Sequence, residues 1–170
     1  MRKDRDRRDK GEGDVGASLR RCIVTPLDIL TTSAAARLIA LMREEINGRP
    51  VCTAEEVTEA LLKAYHVPAY HGFVASDGTG ICGYLGLNDR YAVYSGGAFL
   101  QITELVVSPD RRGRGIGRLL LDHAEEVAQA AGFRNIEVNL PAAERLPGTH
   151  AFYTACGYTS RGVRTSRAIG

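Results

Sequence analysis

The stretch Val106–Gly132, VVSPDRRGRGIGRLLLDHAEEVAQAAG, constrains this chain more than any other part of it. A β-branched run stops at Pro109. Arg111 and Arg112 follow, then Gly113, Gly115 and Gly117 alternate with Arg114 and Ile116, and apolar residues then recur at helical spacing. The local order is strand, turn, glycine loop, helix. The helix is expected from Gly115 to Ala131, with Ile116, Leu120, Ala124, Val127 and Ala131 on one face and Gly132 as its stop. His123 lies beside that face and reads as a packed or partly exposed histidine.

A basic patch for nucleic acid, a plain basic turn and a phosphate cradle all fit the loop's composition. A net charge of +2 over 170 residues gives little field for a general nucleic-acid binder. A dinucleotide fingerprint would need a third glycine at Arg118 or Leu120, and a nucleotide-triphosphate loop would need Gly-Lys followed by Ser or Thr. Both patterns fail. Alternating glycines permit positive φ and let successive backbone amides converge on one anion. The helix behind them adds free N–H groups and the positive end of its dipole, and Arg112 and Arg114 add charge nearby. That combination suits a pyrophosphate better than a duplex. A plain basic turn stays open at this point.

Before the loop, residues 1–17 alternate charges of both signs and carry almost nothing apolar, so a disordered tail is expected, with one domain from 18 to 170. Leu19 to Asp28 reads as a strand ended by Pro26. Thr31, Thr32 and Ser33 are candidate N-caps for a helix that Gly48 closes. Thr53 and Glu56 form a capping-box signature for a second helix ending near Pro68. An antiparallel meander follows. It runs from Ala69 to Ser76, from Gly80 to Leu87 with a turn at Asn88-Asp89, and from Tyr91 through Gly97 into Ala98–Ser108. Arg134–Leu140 reads as a strand, Thr149–Cys156 as a helix, and the last dozen residues as short strands. The fold class is mixed α/β: a single, mostly antiparallel sheet flanked by helices.

Cys22, Cys52, Cys82 and Cys156 show no paired spacing and no histidine cluster accompanies them, which argues against zinc or a disulfide framework. Cys156 is read as a small buried hydrophobe. No apolar run approaches the roughly 20 residues that span a bilayer, and no signal-like segment follows the N-terminal charges, so the expectation is a cytoplasmic protein with no membrane partner.

Taken with THAFYTACGY (Thr149–Tyr158), the loop resembles the signature of the GNAT superfamily of N-acetyltransferases. Arg112-Gly113-Arg114-Gly115-Ile116-Gly117 matches the first family block; Phe152, Tyr153, Gly157 and Tyr158 match the second. The resemblance covers about residues 19 to 170. It implies acetyl-CoA as co-substrate, with splayed strands at its site. The amides of Arg112, Gly113, Arg114, Gly115, Ile116, Gly117 and Arg118 would hold the pyrophosphate. Leu105, Val106 and Val107 would meet the pantetheine arm, with the Val107 amide as oxyanion donor. Tyr153 would be the general acid for the departing thiolate, Asn139 a further cofactor contact, and a homodimer is allowed. The family's frequent Asn before the aromatic-Tyr pair is replaced here by Leu146, and the glutamate of its histone-type members by Gln101.

An amine attacking a thioester must first lose its proton, so the site needs a base, an oxyanion donor and an acid for the sulfur. Glu104 is the candidate base. Leu100 and Ile102 share one strand parity while Leu105 and Val107 share the other, which indicates a β-bulge at Thr103-Glu104. A solvent-facing strand residue is the plainer alternative. His150 is a second candidate acid. Glu44, Glu45, Glu55, Glu56 and Glu59 lie on helices that wall the acceptor site in the family, and most read as solvated faces. The expected activity is acetyl transfer to a primary amine, with a non-catalytic acyl-CoA sensor as the alternative.

Overall fold

The computed structural model describes residues 22–160. The charged tail and the strands expected after residue 160 lie outside them. Five strands form one sheet in the order β1-β2-β3-β4-β5: Cys22–Pro26, Tyr70–Asp77, Ile81–Ala92, Gly97–Val107 and Ile136–Val138. The first four pair antiparallel, and β5 joins β4 in parallel. Helices α1 (Thr32–Asn47) and α2 (Ala54–Ala64) cover one face; α3 (Ile116–Ala130) packs on the other, and α4 (Pro147–Ala155) closes the described chain.

Local chemistry accounts for most of these boundaries. Thr53 accepts a hydrogen bond from the Glu56 amide at 3.2 Å while Glu56 accepts one from the Thr53 amide at 2.9 Å, so the capping box forms at α2 as expected. Gly48 takes the left-handed conformation that ends α1. The expected turn at Asn88-Asp89 does not form. Strand β3 runs on through both residues, because each has partners on two sides: Asn88 pairs with Tyr70 and Gln101, and the Asp89 amide donates to the Ala69 carbonyl. The chain reverses later, in a short 3₁₀ turn at Val93–Ser95 closed by left-handed Gly96. Strand β5 covers only part of the expected Arg134–Leu140 segment.

Two cores flank the sheet. Leu85, Leu87, Leu100 and Ile102 pack with Leu120, Leu121 and Ala124 of α3; Val74, Tyr84 and Val106 pack with Ala35, Ala36 and Leu61 of the helical pair. Val106 and its neighbours Leu105 and Val107 therefore serve opposite faces.

Candidate active site

The β3–β4 register shifts between Gly86 and Leu87: Gly86 opposes Glu104, whereas Leu87 opposes Ile102. Thr103 is the extra residue, so the bulge read from the parity change is present. Its effect on the backbone is decisive. The Leu100 amide donates to Asn135 on the β5 side, whereas the Ser108 amide donates to Cys82 of β3. By strand alternation, Leu100 and Ile102 turn their backbone to β5, and after the bulge Leu105 and Val107 do so. The β4–β5 ladder ends at Ile102 and Val138. Beyond that point the strands part, and Leu105 and Val107 present main-chain groups to an open gap. Val106 instead turns its backbone to β3 and buries its side chain.

The gap belongs to a groove of about 890 Å³. Leu105 and Val107 line one wall; Val138, Asn139 and Leu140 line the other. Gly113, Gly115, Ile116, Gly117 and Arg118 close one end, and Phe152 and Tyr153 face it from α4. Glycine is required at two loop positions for φ, +73° at Gly113 and +82° at Gly115. Gly117 serves close approach instead, since a Cβ there would stand 3.1 Å from the Phe152 ring. Among the described residues, no acceptor meets the amides of Gly113, Arg114, Gly115, Ile116, Gly117 or Arg118; the first satisfied amide of α3 is Leu119, which donates to Gly115. Six successive backbone donors are thus left free at this helix start.

Three of the arginines here are held in ion pairs. Arg112 donates through Nε to the Val107 carbonyl at 3.1 Å and through Nη2 to Glu45 at 2.8 Å, tying the loop to α1. Arg111 pairs with Asp77 at 2.9 Å and with Asp110 at 3.1 Å. Arg118 lies 3.5 Å from Asp122 on its own helix. Arg114 is not part of the groove lining. The free donors of this loop are backbone amides, and Arg111 and Arg112 tie the loop to neighbouring elements.

Tyr153 is 4% exposed, with its ring edge-on to Phe152 and Tyr158. Burial pushes its hydroxyl well above the ordinary tyrosine range, so it stays protonated at neutral pH. His150 is taken up elsewhere, donating to the Pro141 carbonyl at 2.6 Å. His123 packs edge-on against Phe73 with ring centres 4.5 Å apart, as a packed histidine should. Cys156 caps α4 and is half-buried.

Glu104 does not share Tyr153's compartment. It lines a second cavity of about 570 Å³, between α1, α2 and the sheet, with Ile39, Arg43, Cys52, Glu56 and Tyr70. Its Oε2 accepts hydrogen bonds from the Tyr70 hydroxyl at 2.9 Å and from the Thr103 hydroxyl at 2.6 Å. The Tyr70 hydroxyl in turn meets that of Tyr84 at 2.8 Å, and Tyr84 is fully buried. Burial first, then the Glu104 charge, pushes the Tyr70 hydroxyl far up; burial does the same for Tyr84. Glycine makes this network possible. A Cβ at Gly86 would collide with Glu104 Oε2 and the Tyr70 hydroxyl, and one at Gly72, its cross-strand partner, would stand 3.0 Å from the Tyr84 hydroxyl. No local sequence pattern marks Tyr70 or Tyr84 as partners of Glu104. The signal available was glycine inside two strand patterns, which marks close approach. Thr103 lines the groove and Glu104 the cavity, so the bulge stands on the boundary between them.

The model of the acetyltransferase (GNAT) family matches residues 38–158. The chain belongs to that family. An aminoalkylphosphonate N-acetyltransferase of Salmonella typhimurium is 31% identical over 102 residues, covering 60% of this chain and 65% of that protein. The chain therefore matches just under two thirds of that relative's length. A possible acetyltransferase from Clostridium difficile 630 has the same fold, with a TM-score of 0.73 at 11% identity over 87% of this chain and 97% of that one. Glucosamine-6-phosphate N-acetyltransferase from Arabidopsis thaliana gives 0.67 at 15% identity, over 88% and 99%. The expected GNAT fold, a mixed sheet opened between β4 and β5, is the one observed. No helix among the described residues is long and apolar enough to cross a membrane.

Proposed function

We propose that the protein is an acetyl-CoA-dependent N-acetyltransferase that moves an acetyl group to a primary amine by direct attack on the thioester. One observation carries this reading: the unpaired amides from Gly113 to Arg118 close the same groove into which the bulged strand turns Leu105 and Val107. The donor set fits the co-substrate. Neutral amides at a helix start suit a pyrophosphate, and the main chain at the parted strand edge suits the amide-bearing pantetheine arm. Asn139 on the opposite wall is a further contact. The name of the Salmonella relative, which couples acetyl transfer to an aminoalkyl acceptor, supports an amine here.

Acetyl-CoA supplies an activated acyl group. The chain's own residues do the rest. The Val107 amide faces the gap and would stabilise negative charge developing on the carbonyl oxygen. Glu104, directly or through water, would take the proton that an ammonium must lose before it can attack. As the N–C bond forms and the C–S bond breaks, the nitrogen passes its second proton to water, and the thiolate takes one from Tyr153, whose phenolate is then reprotonated from solvent. An acid kept protonated by burial suits that last task. The test is a screen of amines that follows free CoA thiol, run beside thermal melts with acetyl-CoA. A stabilising shift without thiol release from any amine favours the non-catalytic sensor; no shift at millimolar acetyl-CoA rejects both readings.

A further inference from the structure

Glu104 does not line the groove. Strand alternation sends its side chain, with that of Val106, to the α1–α2 face, where it borders the second cavity. The groove opens instead beside β5, between Leu105 and Val107 on one wall and Val138 on the other. An amine attacking a thioester there needs a path to this carboxylate. Thr103 supplies one. It is the extra residue of the bulge, it lines the groove, and its hydroxyl donates to Glu104 Oε2 at 2.6 Å. That hydroxyl has no other partner among the described residues, so its lone pairs are free to accept. A Cβ at Gly86 would stand 3.0 Å from Thr103 Oγ1, so the glycine that makes room for the carboxylate makes room for the hydroxyl as well.

We infer that Thr103 is a catalytic residue, whose hydroxyl relays the first proton of the amine from the groove to Glu104. The inference rests on the acetyltransferase reading and names the group through which its base works. The ammonium donates a hydrogen bond to Thr103 Oγ1. As the N–H bond breaks and that proton crosses to Oγ1, the hydroxyl's own proton crosses to Glu104 Oε2. Threonine ends as the hydroxyl it began as, the amine is neutral with its lone pair free to attack, and the carboxylate has become a carboxylic acid. Tyr70 donates to the same Oε2 at 2.9 Å, which holds that oxygen at the bulge. The second cavity is the exit. Glu104 borders it together with the exposed side chains of Arg43 and Glu56, so the acid returns its proton to solvent without crossing the groove.

The test compares ethylamine with trifluoroethylamine, which has nearly the same shape but is largely unprotonated at neutral pH, by release of free CoA thiol. Thr103→Val keeps a β-branched strand residue and removes the hydroxyl. It should cut kcat/KM for ethylamine by about a hundredfold, the lower range for losing a general base. The loss for trifluoroethylamine should be far smaller, because that amine arrives without the first proton. Thr103→Ser should restore most of the ethylamine rate. Thermal shifts with acetyl-CoA should be equal in wild type and both variants, which separates the relay from damage to the fold or the cradle. Equal losses for the two amines, no loss in Thr103→Val, no recovery in Thr103→Ser, or no thiol release from either amine with the wild type overturns the relay. Wild-type rates in Thr103→Val would overturn it while leaving the acetyltransferase reading intact; absence of any acetyl-CoA shift in the wild type would remove that reading itself.

Discussion

Tyr70 donates a 2.9 Å hydrogen bond to Glu104 Oε2 across the β2–β3–β4 part of the sheet, 34 residues away in sequence. The phenol fixes which way the carboxylate faces, and Tyr84 fixes the phenol. Tyr70→Phe should therefore lower kcat by roughly tenfold, about the worth of one hydrogen bond to a charged group, while acetyl-CoA affinity holds. Tyr84→Phe should act in the same direction more weakly. Equal kinetics for Tyr70→Phe and wild type would mean that Glu104 needs no such support.

Gly86→Ala tests the same network from below. The added methyl falls where Glu104 Oε2 and the Tyr70 hydroxyl stand, so the carboxylate must move. Loss of about 1–3 kcal/mol in denaturant unfolding is expected, the range for overpacking, with turnover falling and acetyl-CoA binding kept. Retained turnover would show that the carboxylate can work from another position.

Gly115→Asp should abolish stabilisation by acetyl-CoA. Gly115 has a φ of +82°, and a carboxylate there would repel the pyrophosphate. Gly115→Asn separates the two effects, since Asn tolerates left-handed φ without the charge. The Asn variant should keep a reduced thermal shift, and a full shift in the Asp variant would locate the pyrophosphate elsewhere.

Tyr153→Phe should cut kcat by roughly a hundredfold or more, the usual range for a general acid, with little change in acetyl-CoA affinity. Parallel losses in both would mark Tyr153 as a packing residue of the groove.

Stability should fall in alkali. Burial raises the hydroxyls of Tyr70, Tyr84, Tyr153 and Tyr158, the last to about 12, so the folded state holds these protons more tightly than the unfolded chain. The contribution is full below the unfolded tyrosine value of about 10 and is lost as pH rises from there through the folded values. Urea midpoints should be insensitive to these groups at neutral pH and drop above about pH 10, less so in Tyr84→Phe.

Features governed by near neighbours were readable in the sequence. The Thr53/Glu56 box, the Gly48 stop, the glycine loop and the Thr103 bulge each follow from chemistry within a few residues. Asn88-Asp89 misled because turn propensity yields to a strand paired on both edges. The Tyr84–Tyr70–Glu104 chain and the Arg112–Glu45 pair join residues far apart, and composition could not show that Arg112 is a fastener. Separate compartments for Glu104 and Tyr153 likewise follow only from the sheet, whose bulge sits between them.

Arg112 grips the Val107 carbonyl with one edge and Glu45 with the other. Loop, strand end and helix α1 are thereby pinned as a single mechanical piece. Helix α1 also walls the second cavity, so widening the groove at that end moves a wall of its neighbour as well.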